Sequence, residues 1–224
     1  MAYLTEEQHQ IVTEAVSSAE DNTSGEIVTV LADRSDGYSD ISLAWAALAS
    51  FTAMTLFALF PDFFLGKIEW LQGGWQHEWS RAEFATVLIG FGLAKFLGVW
   101  AIQWWEPLKF LLVPGPVKTA RVHERAIKHF KVGAEGRTHG RTGILIYLSI
   151  REHRAEIVAD EPIAAKVSAE VWGEAMADML VEIKKGNIAE GMAAGVRDVG
   201  VVLSEHFPRA EDDVNELPDR LIEV

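Results

Sequence analysis

The protein has 224 residues, no cysteine and a formal net charge of −13 at pH 7. Without thiols there is no disulfide, no thiolate nucleophile and no cysteine zinc site, and the acidic balance argues against nucleic acid, which needs a basic footprint. Hydrophobic residues make up 49% of a chain that is also 24% charged, so apolar residues must be concentrated somewhere along it.

The first ten residues, MAYLTEEQHQ, lack a basic start followed by an apolar run. No secretory signal is expected, and the chain is expected to begin in the cytoplasm. Thr5-Glu-Glu-Gln8 has the capping-box pattern, and Ile11, Val12, Ala15, Val16 and Ala19 follow at helical spacing, which predicts an amphipathic helix over 5–21. Ser24-Gly25 breaks it. The β-branched run EIVTVL (26–31) predicts a strand, and Glu26 at its start reads as a ligand or as an edge-strand charge. Residues 33–40 form a polar linker.

Two long apolar stretches follow. ISLAWAALASFTAMTLFALF (41–60) carries no charge, and ATVLIGFGLAKFLGVWAIQWW (85–105) carries one, Lys95. Both are long enough to span a bilayer core. Trp45, Trp100, Trp104 and Trp105 near their ends fit an interfacial belt. The loop Pro61–Phe84, with Trp70, Trp75 and Trp79, is expected at the far interface. Beyond the second span come Lys109, Lys118, Arg121, Arg125, Lys128 and Lys131. The positive-inside rule puts this side in the cytoplasm, and a hairpin returns the chain to its starting side. The expectation is a two-pass protein of the inner (plasma) membrane with its soluble domain cytoplasmic, and with the bilayer as a partner. A lysine in mid-span is a functional candidate by default. The alternatives for Lys95 are snorkelling or an oligomer interface, since Gly90, Gly92 and Gly98 nearby permit close helix approach.

FLLVPGPV (110–117) is broken by prolines and is expected to leave along the interface. A helix is expected over 120–130. GAEGRTHGRTG (133–143) is a glycine-rich loop. Ile144–Ile150 reads as a central strand and Ala155–Ala159 as its partner, joined by the charged turn Arg151-Glu152-His153-Arg154. Such a turn is expected to be solvated. Residues 168–185 predict a helix with Val171, Trp172, Ala175, Met179, Leu180 and Ile183 on its apolar side; Trp172 is therefore expected in the core. Gly186 stops it. Asn187 with Glu190 predicts a capped helix to about 206, with Gly191, Ala194, Gly195 and Gly200 allowing close packing. Pro208 ends it, and the acidic tail is expected to be flexible or loosely docked. The chain thus divides into 1–40, an inserted hairpin at 41–105, 106–207 and the tail 208–224. The fold class is an α/β (α+β) sandwich: a small mixed sheet flanked by helices and interrupted by a two-helix transmembrane hairpin.

SGEIVTVLAD (24–33), AIKHF (126–130), TGILIYLSIREHRAEIVAD (142–160) and KGNIAEGMAAGVRDVGVVL (185–203) together resemble the TPM domain. That family occurs in bacterial membrane-associated proteins and in a thylakoid-lumen protein linked to photosystem II repair. The resemblance covers most of the soluble chain and leaves out the hairpin. It implies the sandwich fold. Some members are described as acid phosphatases, and some bind calcium near the end of the second strand, which here reads Asp160-Glu161-Pro162.

Two basic clusters stand out. Arg137, His139 and Arg141 lie in the glycine-rich loop, where backbone N–H groups can approach an anion. Arg151, His153 and Arg154 lie at the other end of the strand, about 20 Å away at ~3.3 Å per residue, too far to share one small site. Asp160 and Glu161 are the candidate cation ligands, for calcium or magnesium. No GxxxxGK[ST], HExxH or paired-aspartate nucleophile pattern is present. The leading expectation is an accessory module that binds a protein partner or assists a membrane complex. The alternatives are a metal-assisted hydrolase, with His139 and Arg141 on the phosphate and Asp160 and Glu161 on the metal, or an oligomeric channel or transporter subunit.

Overall fold

The computed structural model describes residues 3–71, 73, 77–135, 138, 142–211 and 213–224. Trp75, Arg137, His139 and Arg141 lie outside them. The chain forms two compact units: Met1–Asp36 with Gly115–Val224, and Gly37–Pro114.

The first unit is built on four strands in the order β3-β2-β1-β4. β1 (Glu26–Ala32) runs parallel to β2 (Gly143–Ser149), and β2 turns back antiparallel into β3 (Arg154–Ala159). Every residue of β1 and β2 is buried, as expected of parallel strands covered on both faces. The pleat sends alternate side chains to opposite sides. Ile27, Leu31, Ile144, Ile146 and Leu148 share one core with α1 (Glu6–Glu20), α8 (Ala169–Lys184) and α9 (Ile188–His206). Val28, Val30, Ala32, Leu145 and Tyr147 share the other with Val122, Ala126 and Phe130 of α6 (Gly115–Gly133). Trp172 is in the first core, 9% exposed, as its place on the apolar side of α8 predicts.

The glycines of α9 do what their spacing predicts. A methyl at Gly191 would lie 2.8 Å from the Met179 carbonyl, and one at Gly200 would lie 2.6 Å from the Ala19 methyl. The Thr5–Gln8 capping box forms. The second predicted box does not: the Asn187 side chain turns back to Glu182 (3.0 Å) and caps nothing. A four-residue helix, α7 (Glu161–Ala164), joins β3 to the segment before α8.

Three further expectations are corrected. Glu26 is not on an edge strand, because β4 (Ile222–Glu223) pairs with Val30 and Leu31 and places β1 inside the sheet. The tail that supplies β4 is not loose: Leu217 and Leu221 are buried. Its Glu223 carboxylate also accepts the Tyr3 and Leu4 amides at 2.9 and 3.0 Å. Finally, α6 begins earlier than expected, since Pro116 sits in its first turn, where a missing N–H costs nothing.

The second unit holds two helices long and apolar enough to cross a membrane, α2 (Ser39–Leu59) and α4 (Arg81–Ile102). Only 17% and 6% of their most apolar windows are buried, whereas a soluble core helix would be mostly covered. They pack on each other. The Ser50 hydroxyl donates to the Gly92 carbonyl at 2.8 Å, and any side chain at Gly92 would collide with Met54. The segment expected as a simple loop contains α3 (Pro61–Leu71), whose Phe64 stacks on the buried Phe57 beside Phe91. A short α5 (Glu106–Leu112) follows α4.

Candidate functional site

Ligand crevices of sheets with parallel strands lie outside the strands' carboxyl ends. Here β1 runs into the loop Asp33-Arg34-Ser35-Asp36 and β2 into the turn Ile150–His153. Their parallel register pairs Ala32 with Ser149, so loop and turn emerge side by side. Tyr147 and Ser149 lie two apart on β2 and therefore on one face, the face covered by α6.

These elements assemble a buried polar network. The Ser35 hydroxyl lies 3.0 Å from the Tyr147 hydroxyl and donates to Ser149 Oγ at 3.1 Å. Ser149 in turn donates to Glu152 Oε2, and the Ser35 amide donates to Glu152 Oε1 at 3.0 Å. Arg125 of α6 donates from Nε to the Ser35 carbonyl at 3.1 Å. His129, one turn on, stacks on the Tyr147 ring with centroids 5.6 Å apart. Burial pushes the Tyr147 phenol up, with the Ser35 hydrogen bond and the Arg125 charge opposing it. Burial also pulls the His129 imidazole down, reinforced by Arg125.

The turn Arg151–Arg154 is thus a turn, as read from the sequence, but it is not simply solvated. Glu152 is 2% exposed. Arg151 Nε meets Asp33 Oδ1 at 2.8 Å. His153 takes a left-handed backbone, φ 51°. Arg154 reaches back to its neighbour's carbonyl at 3.1 Å. A hydroxyl donating to a carboxylate is the first half of an activated nucleophile. Ser149 is fully buried, however, so no substrate atom reaches it. The chemistry available to this network is anchoring: it fixes the loop after β1 to the turn after β2. Sequence reasoning missed the role of Glu152. The usable signal was the alternation of polar Tyr147 and Ser149 within an otherwise apolar strand.

The other end of the strands carries a different set. Glu20, at the end of α1, accepts the Ile27 amide at 2.7 Å and lies 3.4 Å from the Asn215 side-chain nitrogen. Glu26 accepts the Glu216 and Leu217 amides at 3.2 and 3.1 Å. Burial pushes the Glu20 carboxyl up to about 8 against the pull of the Ile27 amide, and the charges of Glu26, Asp219 and Asp213 add to the rise. Burial raises Glu26 as well, opposed by its two amide donors.

Of the remaining candidates, the structure describes Asp160, Glu161 and Lys95. Asp160 is buried and its Oδ2 accepts the Gly143 amide at 3.1 Å, while Glu161 is exposed in the first turn of α7. His139 and Arg141 lie outside the described residues. Among the described residues no group of three or more His, Asp or Glu side chains is arranged to hold a metal ion. Lys95 is exposed on α4, its ammonium 5.2 Å from the Phe91 ring centre.

Residues 116–202 match the model of the TPM domain family. This stretch is a TPM domain. It spans nearly all of α6, then β2, β3, α7 and α8, and most of α9; β1 and the apolar helices lie before it. Among solved structures, the chain is similar to the NMR structure of the BA42 protein from the psychrophilic bacterium Bizionia argentinensis. The TM-score is 0.57 at 19% identity, over 100% of this chain and 97% of that one, a likeness of fold. A comparison with curated proteins gave no match. The TPM domain here thus includes Arg125, His129, Tyr147, Ser149 and Glu152, while Ser35 reaches the same network from outside the matched stretch.

Proposed function

We propose that the protein is a membrane-tethered TPM module that serves as an accessory, partner-binding part of a membrane complex. The observation that carries this reading is the exposure of two apolar, span-length helices in a chain with a TPM domain. Leaving such surface in water would cost about 25 cal/mol per Å², so a bilayer is its natural solvent. The basic residues after α4 support, through the positive-inside rule, the reading of a TPM domain on the cytoplasmic side of the inner membrane. The buried hydroxyls and carboxylate at the strand ends support an anchoring role for that network over a catalytic one, because their donors and acceptors are engaged with each other. What the module offers a partner is then its surface.

The test uses the full chain purified in detergent. Hydrolysis of a chromogenic phosphate ester is followed with and without calcium or magnesium, beside the double variant Asp160→Asn, Glu161→Gln. The expected result is turnover at background in every condition, together with a protein that co-purifies at fixed stoichiometry from mildly solubilised membranes. Metal-dependent turnover that the double variant loses would replace this reading with the hydrolase, and would direct the next variants to His139 and Arg141. A stable assembly containing only copies of this chain would favour the oligomeric reading and make Lys95 the residue to change.

A further inference from the structure

We propose that the exposed side of α6 is a binding surface for the anionic headgroups of the bilayer; the inference rests on the reading of α2 and α4 as membrane spans. In the sequence GPVKTARVHERAIKHFKVG, Val122, Ala126 and Phe130 recur every four residues and are buried. Lys118, Arg121, Arg125 and Lys128 recur at three and four, forming a band that runs from the flank of the buried side to the side facing away from it. With Lys131, this one helix of 19 residues holds five of the chain's 20 lysines and arginines against a single carboxylate, Glu124. A helix of net charge +4 stands in a chain of net charge −13. An ordinary solvated face of an acidic protein mixes both signs. Segregating one sign on one helix creates a local field that attracts anions.

Two of the cations are partly engaged within the unit. Arg121 pairs with Asp36 at 3.1 Å, and Arg125 holds the Ser35 carbonyl. Lys128 and Lys131 are exposed, and neither they nor Lys118 form an ion pair among the described residues. Val132 beside them is 71% exposed, an apolar side chain of the kind that enters a headgroup layer. The spacing discriminates between anions. From Lys118 to Lys131 the helix rises about 20 Å at ~1.5 Å per residue. That is too long for one phosphate and suits an extended charged surface. The overall charge disfavours nucleic acid. The chain itself supplies the continuity, because α6 follows the second apolar helix after only the short α5, and its first cations, Lys118 and Arg121, come within about 20 residues of the end of that helix, the range in which cations meet lipid.

The experiment reconstitutes the full chain into nanodiscs of phosphatidylcholine alone, or with about a third of the lipid replaced by phosphatidylglycerol. Acylation rates of individual lysines are read by mass spectrometry, with Lys184 and Lys185 at the end of α8 as internal references. The expected result is a fall of about threefold or more at Lys118, Lys128 and Lys131 in the anionic discs only, reversed by roughly 0.5 M salt. Equal rates in the two discs, with the chain inserted in both, overturn the inference and leave the membrane reading standing. The same protection from inorganic phosphate added to the zwitterionic discs also overturns it, since a free anion would then be the ligand. A chain that fails to elute with either disc overturns the membrane reading and the inference together.

Discussion

The two ends of the β1–β2 pair each bury a carboxylate system, and they solve the problem differently. At the carboxyl end, Glu152 accepts the Ser35 amide and the Ser149 hydroxyl, and Arg125 lies behind Ser35. At the amino end, Glu20 and Glu26 receive amides too, but their other neighbours are Asp213, Asp219 and Glu216. What separates the two ends is the sign of the charge around them. A buried carboxylate among donors and a cation can act as a fixed joint. Two carboxylates facing further acids must keep protons or weaken the fold. The first arrangement therefore ties loops together, and the second holds the tail on conditional terms.

The largest effect should come from breaking the joint. Glu152→Ala leaves the Ser35 amide and the Ser149 hydroxyl buried without an acceptor. At about 1–3 kcal/mol for each of the two orphaned groups, the loss should be about 2–6 kcal/mol. Denaturant unfolding of the first unit in the detergent-solubilised chain measures it. Glu152→Gln keeps one acceptor and should lose roughly half as much. A loss below about 1 kcal/mol for the alanine variant would mean that the network is incidental.

Next comes the amino end. Its Glu20 carboxyl sits at about 8, against 4.5 for the ordinary group, so the folded protein holds a proton that the unfolded chain releases. The sign follows: stability falls as pH rises from about 4.5 towards 8 and levels off above that. Glu20→Gln removes the penalty. It should raise stability by about 1–3 kcal/mol at neutral pH and leave it unchanged near pH 4, giving a flatter stability–pH curve. A curve of unchanged slope would show that Glu20 is not the group being charged.

Much of the fold was readable before the structure. β1, β2, α8, α9 and the apolar helices show in the sequence because each carries its own periodicity or length. Gly191 and Gly200 were readable as contact points because small residues recur along α9. What escaped depends on distant partners. Leu217 and Leu221 carry no pattern of their own, and the tail docks because β1 offers a free side at Val30 and Leu31. α3 was hidden because Pro61 and Gly66 read as loop, although Pro61 begins the helix and the rings of Phe57 and Phe91 hold it. The network at the carboxyl end needs Ser35 to meet Ser149 and Glu152, more than a hundred residues away. Only the parallel register delivers that. The charges of the turn were visible, while the direction each would face was not.

A smaller effect tests the core on the other side of the sheet. Thr29 shares the face of Ile27 and Leu31, opposite the face of Tyr147, and among the described residues its hydroxyl is buried without a hydrogen-bond partner. Thr29→Val keeps the shape and removes the unpaired group. The expected gain is about 1 kcal/mol, seen as a higher unfolding midpoint at unchanged denaturant slope. A loss would mean that the hydroxyl is satisfied in solution.

The smallest effect belongs to the ion pair that borders the joint. Burial works to raise the Asp33 carboxyl, but hydrogen bonds from Arg151 and Tyr3 and the charges of Arg151 and Arg34 outweigh it and hold it below the usual range. Its stabilisation is therefore present above the ordinary carboxylate pKa and is lost as pH falls through the lowered value. Both side chains are partly in water, 37% and 28% exposed, so solvent screens most of the attraction. Arg151→Ala should cost less than about 1 kcal/mol at low salt, and the cost should shrink further at roughly 1 M salt. Glu152→Ala should cost the same in both. If instead the arginine variant loses several kcal/mol independently of salt, the guanidinium is the joint that fixes the turn to the loop after β1, and Glu152 merely fills the space beneath it.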